Sequence, residues 1–229
     1  MTKLTCYRCK QSKVSVDHVP PKCLFPKGYR NNNLATVPSC QQHNEAQSIN
    51  DQVLLYVFSI LPFQKNEPYK IISSQILNRH SIHYDRKLNT IVNMIEEFTP
   101  IVAHDVDSNR YYQTAKINLS KVQKNIDHAL KKIAYGIYYL TYQKSLTASE
   151  EDLFAHIDIS IKHSIEEKNS IDNLYARTQK IFEHFEIPFS GNEPKVFKYR
   201  ALHIPEQNFL GFEFLFYEVI KATVTNNHT

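Results

Sequence analysis

The chain has no tryptophan, no apolar run long enough to cross a bilayer, no internal repeat and no low-complexity segment. No membrane-spanning helix is therefore expected. The opening Met1-Thr2-Lys3-Leu4-Thr5-Cys6 lacks the apolar stretch of a secretory signal, so a soluble, cytoplasmic protein without a membrane partner is expected. Cysteine is absent beyond residue 40; Cys6, Cys9, Cys23 and Cys40 all lie in the first forty residues. What is present suffices for a real core: 42% of residues are hydrophobic, with 14 Tyr and 13 Phe as the aromatic bulk.

Net charge is small, formally +4, but unevenly spread. Lys3, Arg8, Lys10, Lys13, Lys22, Lys27 and Arg30 face only Asp17 and Glu45 in residues 1–50, a net of +5, and the remainder sums to −1. A compact basic unit on a near-neutral body suits contact with a polyanion; a solvated lysine face would carry the same charge.

Residues 1–46 are rich in Pro, Cys, Asn and Lys and show little periodicity. Such a unit buries too little apolar area to fold unaided and needs a staple. Residues 51–229 read as a mostly helical domain with C-terminal strands, suited to partner docking, dimerisation or substrate positioning. Asn50-Asp51 starts a helix that Pro62 stops. Apolar spacing predicts helices over 67–80 and 85–98, the second ended by Pro100, then a short strand over 111–117.

The clearest helix runs over 119–142, with Asn118 or Ser120 as cap and a stripe of Val122, Ile126, Ala129, Ile133, Ile137 and Leu140. Gly136 inside it costs about 1 kcal/mol relative to Ala and points to a close contact. Lys121, Lys124, Lys131 and Lys132 read as a solvated face of that helix, or one touching DNA. Ser149 before Glu150-Glu151-Asp152 predicts a helix over 150–166, followed by another over 171–186. The runs 196–204 and 209–224, separated by Pro205-Glu206-Gln207-Asn208, read as a hairpin whose second run can hold more than one element.

Cys6-Tyr7-Arg8-Cys9 is a CxxC pair and Cys40-Gln41-Gln42-His43 a CxxH pair. Ligands three positions apart on a tight turn converge on one point, so two such pairs make a closed tetrahedral Cys3His zinc site. A closed site has no open position for substrate; its role is structural. A redox CxxC would follow a strand within a βαβ unit, a pattern absent around Cys6. Cys23 is left over as a small buried residue, or as a replacement for one of the four.

Between the pairs lie Val16-Asp17-His18-Val19-Pro20-Pro21-Lys22-Cys23-Leu24-Phe25-Pro26 and Asn33-Leu34-Ala35-Thr36-Val37-Pro38-Ser39-Cys40, then His43-Asn44. An acid followed by His, Val and Pro, enclosed by CxxC and CxxH pairs with an Asn-Leu-x-x-Val-Pro-x-Cys segment, resembles the HNH endonuclease family over about residues 4–50. The resemblance implies a β-hairpin followed by a helix with a metal between them. It implies His18 as general base on water, Asp17 as ligand to a catalytic Mg or Mn ion shared with Asn44, and Asn33 as the residue orienting the loop that carries the base. A His of ordinary pKa is largely neutral at pH 7 and can accept that proton. A hard cation on Asp and Asn oxygens can bind the scissile phosphate as a Lewis acid.

The expectation is thus an α+β protein: a zinc-stapled ββα-metal module at 1–50, then a mostly helical domain with a C-terminal β-hairpin at 51–229. The function implied by the resemblance is hydrolysis of DNA phosphodiesters, with RNA as the alternative substrate. The setting implied is a bacterial antiphage or restriction effector, restrained by an ATPase or sensor partner and able to form a homodimer. Two rivals stand beside it: a zinc-stabilised nucleic-acid-binding module that needs the zinc ligands and basic residues but not Asp17, His18 and Asn44 together, and an adaptor whose helical body is the working part.

Overall fold

In the computed structural model the described residues are 4–9, 11–30, 33–45, 48–60, 66–82, 90–93, 95, 98–105, 109–158 and 176–226. Strand β1 (Ser15–His18) pairs antiparallel with β2 (Thr36–Ser39), Asp17 opposite Val37 and His18 opposite Thr36. Three helices follow: the short α1 (Gln41–Glu45), α2 (Ser48–Ile60) and α3 (Glu67–Ile82). The hairpin β3 (Phe98–Asp105) and β4 (Arg110–Ile117) leads to the long helix α4 (Gln123–Tyr142). The remaining strands, β5 (Leu153–Asp158), β6 (Phe197–Ile204), β7 (Phe209–Phe216) and β8 (Ile220–Asn226), form one antiparallel sheet of order β5-β8-β7-β6. No helix among the described residues is long and apolar enough to cross a membrane.

The α+β class agrees with expectation, with more sheet than expected. The C-terminal hairpin proves to be three consecutive strands, because the run after Phe209 turns at Tyr217-Glu218, both at positive φ. A fourth strand joins them from a segment expected to be helix. Ser149 and the acids after it do not start a helix over 150–166. The Ser149 hydroxyl and backbone N–H both donate to Asp152 Oδ2 (2.7 and 3.0 Å), closing a turn. The same side-chain chemistry that caps helices also closes turns, and here the alternating Leu153, Ala155 and Ile157 gain sheet partners on β8.

The helix expected over 85–98 is helical at 90–93; from Phe98 the chain is strand, with Pro100 inside β3 opposite Ala115. Residues 83–89, 94 and 96–97 lie outside the described set, as do 159–175 of the two later helices, the second of which is helical at 176–184. Helix α4 begins at Gln123 rather than 119: the Asn118 side chain accepts from Ser120 N (3.0 Å) in the turn before it, and no side chain caps Val122.

The core is continuous from the first fifty residues into the rest. Cys6, Tyr7, Val19, Leu24 and Val37 belong to one buried cluster with α2, α4 and the four-stranded sheet. Helix α4 lies at its centre, burying Ile126, Ala129, Leu130, Ile133, Ala134 and Ile137; each Leu or Ile so removed from water contributes about 1.5–3 kcal/mol. The sheet ties back to the module where Tyr217 O–H donates to the Leu24 carbonyl (2.6 Å).

Candidate metal centre and the Asp17–His18 strand

The CxxC turn is built by its own backbone. Cys6 N donates to the Gln11 carbonyl (2.9 Å), Lys13 N to that of Leu4 (3.0 Å), and Thr5 bridges Ser12. This knuckle leans on β2 through Tyr7 N, which donates to the Pro38 carbonyl (2.8 Å). Cys40 leaves the end of β2 and His43 lies in α1, so hairpin and helix together deliver the second pair.

The four side chains converge: Cys6 Sγ to His43 Nδ1 is 3.4 Å, Cys40 Sγ to His43 Nδ1 is 3.3 Å and Cys9 Sγ to Cys40 Sγ is 3.9 Å. All four ligand atoms lie within 4.8 Å of one another. Thiolates bound to zinc at ~2.3 Å in a tetrahedron stand about 3.8 Å apart, and a sulfur and an imidazole nitrogen about 3.6 Å. Donor set and spacing therefore fit a closed structural metal site of the zinc type.

Electrostatics agree with the fit. Burial pushes the Cys6 thiol up, but the backbone N–H groups of Arg8, Cys40 and Cys9 outweigh it and leave the pKa below the ordinary value. Burial, followed by the Arg8 charge, lowers His43 and keeps its imidazole neutral and able to ligate. Cys9 is held up at about 11, chiefly by burial, so metal must displace its proton. Cys23 is not in the group; its Sγ faces the Asp51 carbonyl (3.7 Å), and burial pushes it up to about 12.

Strand alternation sends Asp17 inward and leaves its neighbours Val16 exposed and His18 half-buried. The side chain of Asp17 keeps 8% of its accessible area, and Oδ2 accepts from Lys132 Nζ at 3.1 Å and Tyr7 O–H at 3.4 Å. Lys132 Nζ also donates to Asp51 Oδ2 (2.8 Å). Lys132, on α4 and 2% exposed, is therefore not on a solvated face as its neighbours in sequence suggested. Burial alone would lower its pKa; Asp51 and then Asp17 more than reverse this and hold it charged. Burial raises the Asp51 carboxyl, with Lys132 opposing. His18 is lowered by burial, then by the Lys22 and Lys132 charges, so it is neutral and proton-accepting at neutral pH.

Asn44 lies on α1 and reaches back to β1: its Nδ2 donates to Ser15 Oγ (2.8 Å) and the Val16 carbonyl (3.3 Å). Asn33 is exposed, and its backbone carbonyl accepts from the Asn192 amide. The structure thus brings Asp17, His18 and Asn44 onto or against one strand and leaves Asn33 at the surface before β2.

A catalytic Mg or Mn ion on Asp17 and Asn44 would meet a carboxylate whose Oδ2 is already paired with Lys132. A hydrated divalent ion needs an open carboxylate edge. Asp17 is buried and its Oδ2 is shared by an ammonium and a phenol, while Asn44 uses its Nδ2 to hold its side chain to Ser15 and Val16.

Of the seven basic residues in the first fifty, Lys13, Lys22, Lys27 and Arg30 are exposed, while Lys3 and Lys10 lie outside the described residues. Arg8 is turned inward, paired with Glu150 and stacked over the Tyr135 ring at 4.5 Å. Sequence reading missed Lys132, Asp51 and Tyr7. The available signal was Gly136, four residues beyond Lys132 and hence on the same helix face. Comparisons with protein-family models, curated proteins and solved structures gave no match.

Proposed function

We propose that this chain is a zinc-stapled nuclease of the HNH type, hydrolysing phosphodiesters with His18 as the base. The observation that carries the reading is the half-buried His18 at the end of a strand in a hairpin closed by a Cys3His cluster, with Asn44 on the following helix bonded back to that strand; burial lowers the His18 pKa in the direction a base requires. His18 accepts the proton of the attacking water. The exposed Lys13, Lys22, Lys27 and Arg30 supply the positive surface that gathers the phosphate backbone. Zinc holds the frame and takes no part in the reaction.

A second reading, a zinc-stabilised nucleic-acid-binding module, is favoured by one observation: Asp17 and Asn44 both have structural partners, so neither needs a catalytic use. Plasmid DNA and single-stranded RNA incubated with the purified chain, with and without Mg or Mn, separate the two. The nuclease reading expects cleavage by wild type and none by His18→Ala. Binding without cleavage turns the assignment to the second reading, and cleavage that survives His18→Ala overturns the mechanism.

A further inference from the structure

We propose that Lys132 is a built-in cation paired with the carboxylate, Asp17, to which the family resemblance assigns a divalent metal, and that α4 is the element that positions His18. The proposal rests on the HNH reading for the role of His18; its electrostatic half stands on geometry alone. Three elements meet at one nitrogen. Lys132 Nζ from α4 is 3.1 Å from Asp17 Oδ2 on β1 and 2.8 Å from Asp51 Oδ2 on α2. The three side chains are 2%, 8% and 13% exposed, so the charges are removed from water together. A buried ammonium persists only when paired, and a buried carboxylate likewise. The two acids and the lysine each satisfy that condition for the others.

The same helix face holds the residue on the other side of His18. At Gly136, four positions on from Lys132, a Cβ would stand 2.4 Å from Val19 Cγ2. Only a residue without a side chain admits Val19 there. Asp17 and Val19 are therefore both seated on α4, one by charge and one by close packing. His18 between them is aimed away from the core. Lys132 acts through Asp17 and is a positioning residue; its ammonium is too buried to reach substrate.

Removing the ammonium would leave two carboxylate oxygens about 6 Å apart or less, a pair suited to a small divalent cation. The test uses the zinc-loaded full chain and Mn2+ as probe, read by the resonance signal of the free ion and by thermal melting. Wild type and Asp17→Asn should take up Mn2+ equally. Lys132→Ala should gain an Mn2+ site and be stabilised by it, and Lys132→Ala/Asp17→Asn should lose that site. A wild-type Mn2+ site abolished by Asp17→Asn overturns the proposal, as does a folded Lys132→Ala indifferent to Mn2+. Should Lys132→Ala not fold, wild type against Asp17→Asn decides.

The positioning half is read in cleavage. Lys132→Ala should lower kcat on the order of 10–100-fold with KM little changed, as for a displaced base, and Lys132→Arg should restore much of it. Unchanged kcat in Lys132→Ala overturns this half. A chain that cuts nothing defeats the function proposed above, while the Mn2+ comparison still decides the electrostatic claim.

Discussion

The hairpin module and the C-terminal sheet share a core but are held together by different chemistry. In residues 4–45 the strands are four residues long and the fixed points are polar: the converging Cys3His side chains and the Asp17–Lys132–Asp51 cluster. In the sheet the strands run to eight residues, and Phe212, Phe214 and Phe216 recur on one face of β7, fully buried. A buried ion pair, Arg200 with Glu213 at 2.6 Å, lies across paired strands on the other face, with the guanidinium against Phe182 and Phe189. A segment with few apolar residues gains definition from directional bonds. A segment rich in them gains it from area.

That contrast can be broken at several points. The largest effect is expected from the metal centre. Chelation or Cys40→Ser should remove on the order of 10 kcal/mol of binding energy, comparable with the whole stability of a domain, and melting by circular dichroism should show loss of the cooperative transition. An unchanged melt would mean that the module stands without its staple. On the sheet side, Phe214→Ala should cost about 3–5 kcal/mol in urea denaturation. Zinc analysis of the folded fraction should still give about one ion per chain, since the lesion is remote from the ligands.

At the seam between the regions, Gly136→Ala should cost about 1–3 kcal/mol by overpacking against Val19. Val19→Ala in the same chain should recover part of it, giving a non-zero coupling in a double-mutant cycle; additive effects would disprove the contact.

The smallest effect concerns Glu150, which joins the β5 approach to the module through Arg8. Burial alone would raise its carboxyl, but the Arg8 guanidinium and then His128 reverse this and hold it below the ordinary glutamate value. A depressed folded-state pKa means that the stabilisation is present above the unfolded value and lost as pH falls through the folded one. Melts of wild type and Glu150→Gln should therefore differ by up to about 1 kcal/mol at neutral pH and converge only once the pH has fallen below the depressed folded-state value, beneath the ordinary glutamate pKa. A difference that persists in acid would remove the ion pair from the account.

Legibility followed the range of the interactions. The Cys3His cluster could be read because each pair is local, three positions apart, and thiol and imidazole are scarce and chemically particular. Helix α4 could be read from its stripe, since periodicity is local too. Strand β5 could not: its partner β8 begins more than sixty residues later, and Ser149 with its acids carries the same signal for a turn as for a helix. Lys132 was read as a solvent-facing lysine because nothing near it in sequence announces two carboxylates arriving from β1 and α2.

By itself the sequence determined the CxxC and CxxH pairs and the apolar seam of the central helix, each of which rests on neighbours within a few residues; the short hairpin and its helix followed only from the family resemblance. The tertiary structure decided the rest: that the β1 acid turns inward to a lysine, that Gly136 exists to admit Val19, and that a fourth strand joins the sheet. Those outcomes depend on where desolvated charges and apolar faces find partners across the chain, and a partner distant in sequence leaves no local trace.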